Sequence, residues 1–266
     1  MTDVLDNFKA AQRASWTHFA PLQAHTTEPA ARLVTYAGIE RGQRVLDVAC
    51  GTGVVAVTAA RIGAHVTGLD LTPALLDAAR ENARIAAVSV DWHEGDAEAL
   101  PFDADTFDVV VSQYGHIFAP RPDVTIGEML RVLKPGGVIA FSTWPPELYV
   151  GRVFALTSRY MPPPPPGVSP PSQWGDPTTI RERLGDRVRD LRFDRATMRI
   201  PTLSVAHHRE AFEKTAGPVI RLVETLSGTD PVKLNAFRVE IDALTAEYYA
   251  DNVLRQDYLM TRAVKI

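Results

Sequence analysis

Between about residues 42 and 144 the apolar positions switch repeatedly between short unbroken runs and helical spacing. Arg44–Val48, His65–Asp70, 88–93, Phe107–Ser112 and 138–143 read as strands, and the small-residue pattern of Val54–Ile62 and the segment after Thr72-Pro73 read as helices. Strands alternating with helices predict a parallel sheet joined by right-handed crossovers. Residues 66–69, 107–112 and 138–141 are apolar enough to be covered on both faces. Ahead of this core, residues 1–41 carry Phe8, Trp16, Phe19 and Leu22 at helical spacing among polar positions, which predicts an N-terminal helical cover. After it, residues 145–175 hold Pro145-Pro146, five consecutive prolines from Pro162 to Pro166, and Pro170-Pro171. A loop is expected there, and the flanking Trp144, Tyr149, Tyr160 and Trp174 suggest a lid packed over a cavity. The rest, residues 176–266, reads as a short helix from Asp176 to Leu184, a strand over 188–200, and a last strand over 257–266. A cap of two helices is expected over about 204–250, broken near Gly228-Thr229-Asp230-Pro231.

The first strand ends in Asp47-Val48-Ala49-Cys50-Gly51-Thr52-Gly53. Glycines at a strand-to-helix turn adopt backbone angles closed to other residues and let a ligand lie against bare main chain. The helix that follows aims its free N–H groups at such a ligand. Asp70, closing the second strand, is placed to take both hydroxyls of a ribose. Gly51-x-Gly53-x-x-Ala56 also satisfies the looser dinucleotide pattern, so a nicotinamide site competes with any other nucleoside site on the glycines alone. Three features separate them. Asp47 puts a negative charge inside the first strand, where a pyrophosphate gains nothing and a cationic ligand does. Gly95-Asp96-Ala97 brings another carboxylate to the same edge of the sheet, and Leu133-Lys134-Pro135-Gly136-Gly137 precedes the fifth strand.

Together, over residues 45–143, these motifs resemble the class I methyltransferases that use S-adenosylmethionine (SAM). They are most similar to the small-molecule branch typified by ubiquinone and menaquinone biosynthesis enzymes (methyltransferase type 11). The resemblance implies a Rossmann-like, doubly wound α/β sheet of about seven strands, the last one antiparallel between two earlier ones. It implies SAM as cofactor and S-adenosylhomocysteine as product. Asp47 then lies near the methionine part, Asp70 binds the ribose, Asp96 accepts from the adenine amine and the Ala97 amide donates to the ring. Ala49, Gly51, Thr52, Gly53, Leu71, Ser112 and Gln113 complete the cofactor set. In the resembling family the N-terminal cover crosses the site, so Trp16 and Phe19 join His116, Phe118, Trp144 and Trp174 around the acceptor. Blander roles compete: Asp70 as a helix cap, Asp96 as a turn acid, Trp16 and Phe19 as packing aromatics.

Methyl transfer from a sulfonium needs alignment and a dry pocket, and a base only if the acceptor must lose a proton. His116, in the loop after the fourth strand, is the first candidate for that base and Tyr114 the second; a histidine there can equally serve the backbone. Ser112-Gln113-Tyr114-Gly115 lacks the Asn/Asp-Pro-Pro-aromatic run of DNA amino-methyltransferases. The expected acceptor is a small, apolar or aromatic metabolite, methylated at oxygen, carbon or nitrogen. An NAD-linked oxidoreductase of similar fold and a non-catalytic SAM- or partner-binding module are the alternatives.

Composition narrows the partners. The 266 residues carry a net charge of -4 and a sequence pI near 6.0, with no basic run interleaved with aromatics, so no nucleic-acid partner is expected. The single cysteine, Cys50, can form no internal disulfide and offers no CxxC spacing; it reads as a compact packing residue, and no metal is expected. No apolar stretch is long enough to insert in a bilayer and Met1-Thr2-Asp3 does not open a signal peptide, so a cytoplasmic protein is expected.

Overall fold

The computed structural model describes residues 2–266. Helices α1 (Thr2–Trp16) and α2 (Gln23–Ala37) precede β1 (Arg44–Val48). Then follow α3 (Val54–Ile62), β2 (His65–Asp70), α4 (Pro73–Ile85), β3 (Asp91–Glu94), β4 (Phe107–Gln113), α5 (Pro122–Val132) and β5 (Leu133–Thr143). These five strands are mutually parallel and ordered β3-β2-β1-β4-β5. The order reverses between β1 and β4, which opens a crevice at their carboxyl ends. The side-chain period of two sends Val45, Val109 and Val111 to the face under α2 and α3, and Leu46, Val48 and Val110 to the other, beside Ile126 and Met129 of α5.

Beyond the core come α6 (Tyr149–Tyr160), α7 (Pro177–Leu184) and β6 (Val188–Pro201). The cap helices are α8 (Val205–Thr215), α9 (Gly217–Thr229) and α10 (Pro231–Ala246), and the chain closes with β7 (Tyr249–Ala250) and β8 (Val253–Lys265). β8 is antiparallel to both β5 and β6 and lies between them, as the resemblance implies, and β7 adds a short hairpin to it. Among the described residues no helix is long and apolar enough to cross a membrane.

Two expectations need correction. The segment 145–175 is not loop throughout: α6 occupies Tyr149–Tyr160, because the prolines flank that stretch rather than interrupt it. The cap has three helices rather than two. It breaks at Asp230, whose side chain caps α10 through the Lys233 amide, and also at Ala216, just before Gly217-Pro218 at the start of α9. Gly217 is also where α9 meets α1, since a Cβ there would stand 3.0 Å from Ser15 Oγ.

Candidate active site

Two turns meet at the crevice between β1 and β4. Ala49 (φ 54°) and Tyr114 (φ 62°) both hold left-handed backbone, which costs a non-glycine residue on the order of 1 kcal/mol or more. Gly115 lets them approach, since a Cβ there would lie 2.4 Å from the Ala49 carbonyl oxygen. Gly51 (φ 56°) faces open space, whereas a Cβ on Gly53 (φ 77°) would strike the Trp92 ring at 2.6 Å. Gly51 therefore keeps main chain bare toward the crevice, and Gly53 lets α3 pack on β3.

A first cavity of about 140 Å³ opens there. Asp47, Ala49, Gly51, Thr52, Asp70, Leu71, Asp96, Ala97 and Gln113 line it, with Trp16 and Phe19 above. Asp47 is buried, and only its Oδ2 is engaged, accepting from the Ala56 amide at 3.0 Å. Oδ1 has no partner. Burial pushes this carboxyl up to about 8, with the Ala56 amide pulling it back and the neighbouring Asp70 adding to the rise. A buried carboxylate oxygen left unpaired is costly, and a cationic ligand would relieve that cost.

Asp70 accepts from the Gly51 amide through Oδ2 and from the Thr72 amide through Oδ1, both at 2.8 Å. Burial raises its pKa, and those amides oppose the rise. It is not the cap of α4: the N-cap there is Thr72, and Asp70 bonds Thr72's own amide. Instead it ties the glycine turn to the end of β2. Asp96 accepts from the Glu98 amide and pairs with Lys9 Nζ at 2.5 Å, and the same ammonium reaches Glu98 at 2.6 Å. Burial alone would lower Lys9's pKa; Asp96 and Glu98 carry it above its ordinary value. Helix α1 is thus clasped over the Asp96 end of the cavity.

A second cavity, of about 210 Å³, shares Trp16, Phe19, Thr26, Tyr114 and Phe118 with the first and runs on among α2, α6, α8, α9 and β6. Tyr114 stacks on Trp144 at 4.1 Å between ring centroids, and Trp16 lies 4.5 Å from Phe118. Among the described residues no Asp, Glu, Lys or Arg lines this second cavity.

The Methyltransferase domain family matches residues 45–137, the stretch that builds the first cavity's turns. An uncharacterized protein of Mycobacterium tuberculosis is 38% identical over 234 residues, 88% of this chain and 85% of the relative. The ubiquinone/menaquinone biosynthesis C-methyltransferase of Roseobacter denitrificans is 44% identical over 111 residues, 39% of this chain and 44% of its own length. The chain belongs to the class I SAM-dependent methyltransferases. The crystal structure of a putative methyltransferase from Bacillus halodurans has the same fold, with a TM-score of 0.60 at 21% identity, covering 89% of this methyltransferase and 98% of that chain.

Most residues expected at the methyltransferase's site come together around the two cavities, and four do not. His116 is fully buried, edge-on to Phe141 and Trp174 at 4.9 and 4.6 Å between centroids, and lines neither cavity. Burial, and secondarily the nearby Arg183, push it down to about 3. It is a neutral core residue and cannot serve as the base or touch the acceptor. Trp174, 1% exposed, packs in that same cluster away from both cavities, and so cannot line the acceptor site. The proline run is absent from both linings as well, so within the expected lid segment it is α6, not the prolines, that faces a cavity. Ser112 turns its hydroxyl to the Val48 carbonyl at 2.6 Å, joining β4 to β1, and Gly53 faces Trp92 rather than the crevice. Tyr114 walls both cavities, but its hydroxyl is buried without a partner and burial holds the phenol neutral well above its ordinary range. Cys50 is a buried free thiol, again pushed up by burial.

Sequence reasoning missed two polar residues of the second cavity, His25 and His208, and placed Tyr149 only among the aromatics of the lid. No motif surrounds them. The only available signal was that each falls on the apolar side of a helical pattern, where a polar group needs a reason to be.

Proposed function

We propose that the first cavity is the SAM site and the second receives a small, uncharged, apolar or aromatic acceptor. When bound, SAM supplies an activated methyl on a sulfonium, so the protein's task is alignment in a dry pocket. Asp47 offers its free Oδ1 to the ammonium of the methionine end, and Gln113, whose Oε1 is also unpartnered, borders the same region. Asp70 keeps lone pairs free for the ribose hydroxyls while its amide bonds hold the glycine turn in place. Asp96 and the Ala97 amide meet the adenine under the Lys9 clasp. Tyr114, Trp144, Trp16 and Phe118 form the apolar seam across which donor and acceptor face one another and from which water is excluded.

The observation that carries this reading is the contrast at the seam: an unpaired buried carboxylate oxygen on one side and a wall without formal charge on the other. A charged acceptor would lose its hydration in the second cavity with nothing to replace it. Incubating the protein with SAM and a fractionated metabolite extract tests this. A mass gain of one methyl group is expected among uncharged, apolar compounds; methylation confined to charged metabolites would overturn the assignment.

A further inference from the structure

The polar corner of the second cavity has a fixed direction of hydrogen bonding. Thr245, on α10, donates its hydroxyl proton to the Ile241 carbonyl at 2.7 Å. A carbonyl has no proton to return, so Thr245 Oγ1 can only accept from the Tyr149 hydroxyl, 3.0 Å away on α6. That contact uses Tyr149's single proton. The Tyr149 oxygen therefore accepts from His208 Nε2, on α8, at 3.1 Å. His208 is held as the Nε2–H tautomer, and its Nδ1, which makes no hydrogen bond among the described residues, presents a lone pair alone. Phe212, stacked at 5.5 Å between centroids, fixes the ring plane. Burial, with a smaller contribution from His25, pushes His208 down to about 4, so the ring stays neutral at ordinary pH.

We propose that His208, locked by Tyr149 and Thr245, accepts a hydrogen bond from a hydroxyl on the acceptor, so that the methyltransferase selects an apolar molecule bearing a phenol-like donor. This rests on the second cavity being the acceptor site. The lock spans three helices, α6, α8 and α10, which gives the otherwise apolar cap one directional polar contact. Such a contact rejects an analogue that lacks the donor more sharply than shape alone can.

Two measurements test it without an identified substrate. In long-range ¹H–¹⁵N spectra His208 is expected as a neutral ring protonated at Nε2, and Tyr149→Phe should release that preference. Calorimetry with 4-propylphenol, 4-propylanisole and 4-propylbenzoate, run with and without S-adenosylhomocysteine, reads the selectivity. The phenol should bind about fivefold or more tightly than the anisole, the worth of one ordinary hydrogen bond, and the benzoate should not bind. His208→Leu should remove the phenol's advantage while leaving anisole binding in place, and His208→Gln, whose amide oxygen can accept, should restore part of it. Equal affinity for phenol and anisole, an unchanged ratio in His208→Leu, or a ring protonated at Nδ1 overturns the proposal. Failure of S-adenosylhomocysteine to bind, with the phenol preference intact, would instead sink the cofactor assignment.

Discussion

The two cavities that meet at Tyr114 are walled by different parts of the chain. The first is bounded by main-chain turns at the ends of β1, β2 and β4, held by Asp47 and Asp70 against specific amides. The second is bounded by side chains that project from α2, α6, α8, α9 and β6. A turn needs particular residues at fixed spacing, since only glycine or a strained residue reaches its angles and its free amides need an acceptor, which here Asp70 supplies to Gly51. An apolar wall can be made by any hydrophobe at helical spacing, so nothing in such a wall names its ligand. With the first region proposed as the cofactor site and the second as the acceptor site, each difference between them can be tested.

The largest expected effect lies beneath the site. His116 is neutral in the folded protein down to about pH 3 and His208 to about 4, while in the unfolded chain both take up protons below about 6.5. The unfolded state thus binds more protons over that window, and each histidine costs up to about 1.4 kcal/mol of stability per pH unit as the pH falls. Asp47 acts the other way. Its raised folded pKa, about 8, means that the folded state holds a proton that the unfolded chain lacks above its ordinary 3.8. Among these three groups Asp47 offsets one histidine between pH 6.5 and 4, while Asp70, also raised by burial, adds to the offset and His25, lowered by burial, adds to the loss. Replacing His116 by Phe, of similar shape and with nothing to protonate, should make the pH dependence shallower there by about 1.4 kcal/mol per unit. Urea unfolding at stepped pH reads it, and a His116→Phe curve as steep as that of the parent protein would refute the buried-neutral account.

Asp47→Asn separates the demands of fold and ligand. It should weaken SAM by about 3 kcal/mol, the scale of one partner removed from a sheltered charge pair, yet raise the melting temperature without ligand, because a poorly compensated buried acid is gone. A lower melting temperature with unchanged affinity would mean that Asp47 serves only α3. Asp70→Ala should cost SAM binding about 1.5 to 3 kcal/mol, with some loss of order in the Gly51 turn, whose amide loses its acceptor. Unchanged affinity in the folded variant would confine Asp70 to structure. Lys9→Ala should do least, under about 1 kcal/mol in stability, since Glu98 keeps its two-pronged pairing with Arg121. A large loss of SAM affinity would make the α1 clasp part of the binding site.

Legibility in the sequence follows the same division. The alternation of strands and helices was readable from the apolar runs, the antiparallel β8 was implied by the resemblance, and Asp47, Asp70 and Asp96 stood out because glycines and acids recur at spacings that few structures tolerate. The second cavity was not. His116 stood beside a strand end and invited a catalytic role, but the Ser112 hydroxyl takes its amide, and the ring lies under Phe141 and Trp174, a contact made across 58 residues of sequence. His208 falls within the expected cap with no motif around it, and its value depends on Tyr149 and Thr245, brought in from two other helices. Long-range side-chain pairing of this kind leaves no local pattern. The prolines misled for a related reason, since they mark where regular structure is broken but not what lies between the breaks.

The most direct test of the cofactor assignment is a calorimetric titration of the unmodified protein, and of Asp47→Asn, with SAM, S-adenosylhomocysteine, NAD and NADP. The account predicts one-to-one binding of SAM and S-adenosylhomocysteine, none of NAD or NADP, and a marked loss of both ligands in Asp47→Asn. NAD binding comparable to SAM, or SAM binding indifferent to Asp47, would contradict it.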